Sequence, residues 1–404
     1  MLYLLSLIII FLPVYMVRFE VLNIPTTLLE VLIWLAFLIQ IVLDKKLILP
    51  KNIKIYLSLG LIILAGTIST LIAPDKNIAL GQLKAFIIDP IIFAWLIWRT
   101  QPRVSKVRPT IICDSLIVSS TLMAILAISQ KCLDITTNDG RIVGIFSFEA
   151  NASANYLAMY LAPAFALSTL RFVCSKRYKI YYLIASILII IGVYLTGSRG
   201  AILADIIAVF IVLWQYIADK NKISKVYKIG MSIGLALLLL IATYLARVNL
   251  SAKEGSGRVS NSNNIRYEIW KTTLKIETEN TKNFFLGVGL GNYQNYFTNY
   301  TADQGNYPEF ISPRALMPHN LFLSFWVQGG LLMLCVFIYL IILAFIKSYK
   351  NQKYPILAGL LTIIIIGLVD TPYWKNDLVI IFWIFLTLGI VSKPDNNSKL
   401  ISQN

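Results

Sequence analysis

The sequence predicts an all-α polytopic membrane protein of about twelve transmembrane helices, with one long outer loop that contains a surface helix. Three observations predict it. Hydrophobic residues make up 57% of the 404 and charged residues only 14%, too little charge to coat a soluble protein of this length. Mostly apolar runs approaching the 20 residues or so that a helix needs to cross a bilayer recur from end to end. Lys and Arg crowd into alternate connections, as cytoplasmic loops require.

The runs lie near 2–17, 25–43, 53–72, 82–98, 110–130, 153–173, 179–196, 200–218, 226–246, 319–346, 354–369 and 377–392. The first has neither the basic start nor the small-residue cleavage site of a signal peptide, so it is read as a span that stays in the protein. The chain then divides into residues 1–246 with nine spans, 247–318 as the long loop, 319–392 with three spans, and 393–404 as a short cytoplasmic tail. Of the 36 Lys and Arg, 21 fall in one set of connections and the tail, seven in the opposite short connections and eight in the long loop. This asymmetry puts both termini in the cytoplasm and the long loop outside. Most of the net charge of +16 is thereby an insertion signal, and no nucleic-acid partner is expected.

The middle of the loop, "NNIRYEIWKTTLKIETEN", has helical spacing, with Ile265, Ile269, Trp270, Leu274 and Ile276 on one side and Asn264 as cap. It is read as an amphipathic helix on the membrane surface, followed by the turn-rich "FLGVGLGNYQNYF". That Gly-rich stretch lacks the spacing of a nucleotide-binding loop and reads as a turn. Cys113, Cys132, Cys174 and Cys335 have no C-x-x-C spacing, and no acidic or histidine cluster has metal-ligand spacing, so neither a metal nor a cofactor is expected.

Three ionisable residues map to the outer boundary. Arg199 sits in "YLTGSRGAILA", a lone cation beside Ser198 and small neighbours; it reads either as a snorkelling anchor or as a cation that a ligand can approach. Arg266 opens the loop helix one turn before Trp270, so both share a face; the pair also fits an interfacial anchor. His319 is the only histidine. It follows Pro318 and precedes Asn320 at the expected start of a helix, where the dipole favours a neutral imidazole able to accept a proton. Asp370 ends the eleventh span with Asp377 close by. Asp89 and Asp205 fall inside spans, where ionisable groups have partners or functions.

In order, S-R-G-A at 198–201, R-x-x-x-W at 266–270, H-N-x-x-L at 319–323 and the block "DTPYWKND" at 370–377 resemble the bacterial O-antigen ligase and polymerase superfamily. The resemblance runs from about residue 140 to the end. Gln328 departs from the pattern where relatives often carry an acid, and "FSFEANASANYL" matches an Asn-containing block only loosely. The resemblance implies a GT-C type membrane glycosyltransferase in the bacterial inner membrane, working at the periplasmic face without metal or nucleotide sugar. Its donor would be a glycan on undecaprenyl diphosphate, its acceptor a lipid A core sugar or a growing glycan, with membrane lipids around it. It assigns pyrophosphate binding to Arg199 and Arg266, acceptor activation to His319 and an acidic catalytic role to Asp370, with Ser198, Trp270 and Asn320 in support. Two guanidiniums can neutralise a diphosphate leaving group through forked hydrogen bonds, and direct displacement would invert the anomeric centre. A ligase is the first expectation, a polymerase or protein O-oligosaccharyltransferase the nearest alternative, and a flippase for lipid-linked sugars the alternative of another class. All of these enzymes need the two arginines and the histidine in one outer cleft.

Overall fold

The computed structural model describes residues 1–45, 52–100, 108–137, 140–148, 153–224 (with 227, 230 and 234), 262–303 and 317–391. Those three residues apart, the expected ninth span, the remainder of the long loop and the tail lie outside the described residues. The other expected runs all fall on helices, and among the described residues six helices are long and apolar enough to cross a membrane. The protein is a multi-pass, all-α membrane protein.

The first run is not one helix. α1 (Leu2–Ile10) stops at Phe11, and a 3-10 turn follows over Leu12–Met16. Pro13 offers no N–H to continue the ladder, and its ring would meet the carbonyl four residues back. Next, β1 (Arg18–Val21) and β2 (Ile24–Thr27) pair antiparallel, Val21 opposite Ile24. Leu22 and Asn23 between them both have positive φ, as a two-residue hairpin turn of matching twist demands.

Down the bundle run α2 (Leu28–Asp44), α3 (Ile53–Ile72), α4 (Lys76–Leu83), α5 (Asp89–Thr100), α6 (Arg108–Cys132), α7 (Ala154–Cys174), α8 (Lys179–Leu195) and α9 (Arg199–Lys220). A π-helical turn over Lys84–Ile88 joins α4 to α5. The loop unit holds α10 (Ser262–Thr278), α11 (Thr281–Leu286) and α12 (Tyr293–Asp303). The chain then returns through α13 (Leu321–Lys350), α14 (Tyr354–Gly367) and α15 (Asn376–Ile390). Every residue of α15 from Asp377 onward is buried. A helix apolar all round belongs at the centre of a bundle, and α15 packs against α5, α13 and α14.

Ionisable groups inside the spans have partners. Arg99 grips Asp44 with Nε and Nη2 at 2.6 and 2.7 Å. Trp34 Nε1 donates to Asp89 at 2.8 Å, and Thr362 donates to Asp205 at 3.3 Å. These bonds tie α2 to α5 and α9 to α14, which gives Asp89 and Asp205 structural work.

The loop unit has a small core of its own: Ile269, Ile276, Val288, Tyr293, Phe297 and Val327. The apolar face of α10 therefore packs on protein, not on the membrane surface expected of it. Leu274, expected on that face, is 42% exposed on the other. α10 also begins two residues before Asn264, so that residue is not the cap. The Gly-rich stretch is a turn, as expected, and it is what seats the unit on α13. Gly330 breaks α13 at φ +73, freeing the Val327 carbonyl, which accepts instead from the Val288 N–H at 2.8 Å. Gln328 Oε1 accepts from Gly291 N–H at 3.3 Å, and Trp326 donates to the Phe284 carbonyl at 2.9 Å.

Candidate active site

Two helix ends build the site. The last carbonyls of a helix and the first amides of the next lack partners of their own, and Asn320 satisfies both kinds at once. Its Oδ1 accepts from the amides of Phe322 and Leu323, each at 3.0 Å, capping α13. Its Nδ2 donates to the Leu368 carbonyl at 3.0 Å, just past α14. These three hydrogen bonds bring the residue before the cap, His319, to Asp370.

His319 thus stands two residues before the first residue of α13, at the helix start as expected, with φ +49, and its ring faces a carboxylate. Nδ1 lies 3.2 Å from Asp370 Oδ1. On the other oxygen, Oδ2, Arg266 Nη2 closes at 3.4 Å and Asn155 Nδ2 at 3.3 Å. Trp270, one turn after Arg266, donates its indole N–H to the His319 carbonyl at 3.2 Å. Asp370 is 8% exposed. Burial alone would raise its carboxyl, but the His319 hydrogen bond and charge, the Arg266 guanidinium and the Thr371 amide outweigh it and hold the group below the ordinary carboxylate range.

Chemically this is a histidine with one ring nitrogen held by a carboxylate. When Nδ1 carries the proton toward Asp370, Nε2 presents a lone pair to whatever enters. Asp370 orients the ring, and a neighbouring guanidinium supplies charge.

Arg199 is placed differently. It is exposed at the first position of α9 and makes no hydrogen bond or ion pair with the described residues. Ser198 is the cap residue, without a side-chain cap bond. The turn nevertheless lies at the site: a side chain added at Gly200 would touch Val369 at 3.5 Å, one residue from Asp370. Arg266, His319 and Asp370 form one cluster; Arg199 is outside it, on the turn next to Val369, with its head unpaired among the described residues.

Two residues of the site went unread in the sequence. Arg141 Nε donates to the Thr196 carbonyl at 2.6 Å and Nη2 donates to Asn155 Oδ1 at 2.6 Å. The same connection sends the Ile142 N–H to the Leu195 carbonyl at 3.2 Å, so it serves two orphan carbonyls at the end of α8. Arg141 thereby braces the turn that carries Arg199 and fixes the Asn155 amide so that its NH2 faces Asp370. The signal available was Asn155 in the loosely matching "FSFEANASANYL". Asp377, by contrast, is fully buried in the first turn of α15 and stays out of the cluster. No group of metal-ligating residues occurs among the described residues.

No curated protein matches the chain significantly. Residues 184–338, which include Arg199, Arg266, Trp270 and His319, match the family described as O-antigen ligase, and the match supports the resemblance to the O-antigen ligase and polymerase superfamily.

Proposed function

We propose that the protein is an O-antigen ligase-type glycosyltransferase that moves a glycan from undecaprenyl diphosphate to an acceptor hydroxyl, a lipid A core sugar, at the periplasmic face of the inner membrane. The reading rests on one observation above all: Arg266 and His319, 53 positions apart, meet through the two oxygens of one buried carboxylate. Around that carboxylate the roles follow from chemistry. His319, held by Asp370, takes the proton from the acceptor oxygen as it attacks the anomeric carbon. The bond to the diphosphate breaks on the opposite side, and the leaving oxygen takes the electron pair. Arg266 and the free head of Arg199 neutralise the charge that develops there. The displacement inverts the anomeric centre and calls on no metal. The fold is GT-C type, with twelve spans and both termini cytoplasmic.

Purified protein given lipid-linked repeat units, with and without lipid A core, tests the reading. Product that appears only with core is the expected result, and a ladder on the lipid carrier would make the protein a polymerase of the same superfamily. Failure to move glycan in either tube would return the flippase. His319→Ala should abolish transfer at normal protein level, by roughly 10²–10⁴-fold for a lost general base. Arg199→Lys and Arg266→Lys keep charge but lose the fork, so full activity in both would exclude bidentate gripping.

A further inference from the structure

The face of α10 that turns away from the loop-unit core has no role in the reading above. Tyr267, Trp270, Lys271, Leu274, Lys275 and Thr278 line an open groove of about 410 Å³ along it. Their spacing, one or two per turn over three turns, makes a continuous stripe. Tyr267 is 61% exposed and Leu274 42%, so an aromatic and an aliphatic side chain stand open beside two cations. Lys271 and Lys275 are one turn apart, where like charges repel, and neither has an ion-pair partner among the described residues.

The stripe starts at the reactive centre. Tyr267 opens it, and the next wall, Trp270, donates its indole N–H to the His319 carbonyl. Arg266 lies one turn earlier, about 6 Å along the axis at 1.5 Å per residue. From Trp270 to Thr278 the groove continues for about 12 Å more. Tyr267 apart, a ligand laid along it runs from Trp270, beside His319, away from Arg266. That is the direction from which an in-line acceptor must approach when the diphosphate departs toward the arginine.

We propose that this groove is the acceptor subsite, and that it takes a saccharide bearing phosphate groups: Lys271 and Lys275 meet the phosphate, while Tyr267 and Trp270 offer flat faces to sugar rings. The assignment rests on the transferase reading for its name, but the groove's ligand chemistry can be measured without any transfer.

The full-length protein in nanodiscs of neutral lipid is titrated with deacylated, phosphorylated lipopolysaccharide-core oligosaccharide, and with the same material after phosphatase treatment. The phosphorylated form should bind at least tenfold more tightly, and K271A/K275A should erase that difference while the phosphatase-treated form binds as before. Y267A/L274A should weaken both forms. In the transfer assay at saturating donor, K271A/K275A should raise the acceptor KM by the same factor and leave kcat and the donor KM in place. Equal binding of the two forms, no binding of either, or unchanged affinity in the lysine variant overturns the subsite. So does a variant that loses only its attachment to vesicles containing anionic lipid, which would make the lysines a membrane contact. Saccharide binding as expected without glycan transfer would leave the groove standing and remove the transferase; transfer with an unmoved acceptor KM would do the reverse.

Discussion

His319 Nδ1 and Asp370 Oδ1 lie 3.2 Å apart across 51 positions of sequence, and the same carboxylate reaches Arg266 through its second oxygen. One acid therefore sets both the direction of the imidazole and the position of the guanidinium. Asp370→Asn keeps the shape but can donate toward Nδ1, favouring the wrong tautomer. Transfer should fall by roughly 10²–10⁴-fold, mostly in kcat, with protein yield near wild type. The lowered carboxyl of Asp370 also contributes stability that is present above the ordinary carboxylate range and lost as pH falls through the folded value. Thermal unfolding below about pH 4 should accordingly be less acid-sensitive in Asp370→Asn than in wild type. An unchanged kcat would remove Asp370 from any part in orienting the base.

Arg141 predicts a second, separable effect. Its fork bonds the Thr196 carbonyl and Asn155 together, which a lysine cannot do with one point charge. Arg141→Lys should lower transfer on the order of 10- to 100-fold, the cost of a small misplacement at a reacting centre. The donor KM should rise, because the turn bearing Arg199 loosens. Asn155→Leu, which leaves that turn braced, should lower kcat without raising the donor KM. Matching KM values in the two variants would show that Arg141 does not act on the Arg199 turn.

How far the sequence could be read follows from which forces are local. Hydropathy and charge asymmetry are local, so the membrane-helix character was legible, and His319 and Asp370 stood out as polar groups at the ends of apolar runs, Arg266 as one on the loop helix. Pro13 was local too, yet the apolar run around it masked the stop of α1 at Phe11. Arg141 counted only as one of seven cations, because its role depends on carbonyls at the end of a helix 55 positions away. Leu274 fitted an apolar stripe by periodicity, but the loop-unit core is narrow and closes over Ile269 and Ile276 instead. The break at Gly330 was hidden inside an uninterrupted apolar run, since only the docked turn from Gly287 to Gly291 explains it.

Glu277 makes the loop unit pH-sensitive. It is fully buried beside Thr273 and Tyr293, neither carboxylate oxygen has a hydrogen-bond partner among the described residues, and burial pushes its carboxyl up to about 8. A raised folded value means the stabilising protonated form is fully present below about pH 4.5, and that stability is lost as pH climbs toward 8. Glu277→Gln carries no charge at any pH. Its Tm should be flat from pH 5 to 8 while the wild-type value falls, with a gap of about 2–4 °C at pH 8. Parallel Tm curves would mean that Glu277 is solvated in solution.

Gly330 and Gly329 offer a sharper contrast, because adjacent glycines in one helix should respond oppositely to the same methyl group. At Gly330 the added carbon would stand 2.1 Å from the Phe285 carbonyl oxygen and 2.7 Å from Leu286 Cα, on a backbone with φ +73. Backbone cannot swing aside, and a non-glycine residue in that conformation costs about 1–3 kcal/mol before the clash is counted. At Gly329 the nearest atoms belong to the flexible end of Met333, which can change rotamer. Gly330→Ala should therefore detach the loop unit from α13: limited proteolysis should cut between α11 and α12 while α13 stays protected, and transfer should be lost because Trp270 and Arg266 ride on that unit. Gly329→Ala should keep the wild-type cleavage pattern and most of the activity. Equal sensitivity of the two variants would show that crowding of α13, rather than the kink and the turn docked on it, decides how the loop unit is held.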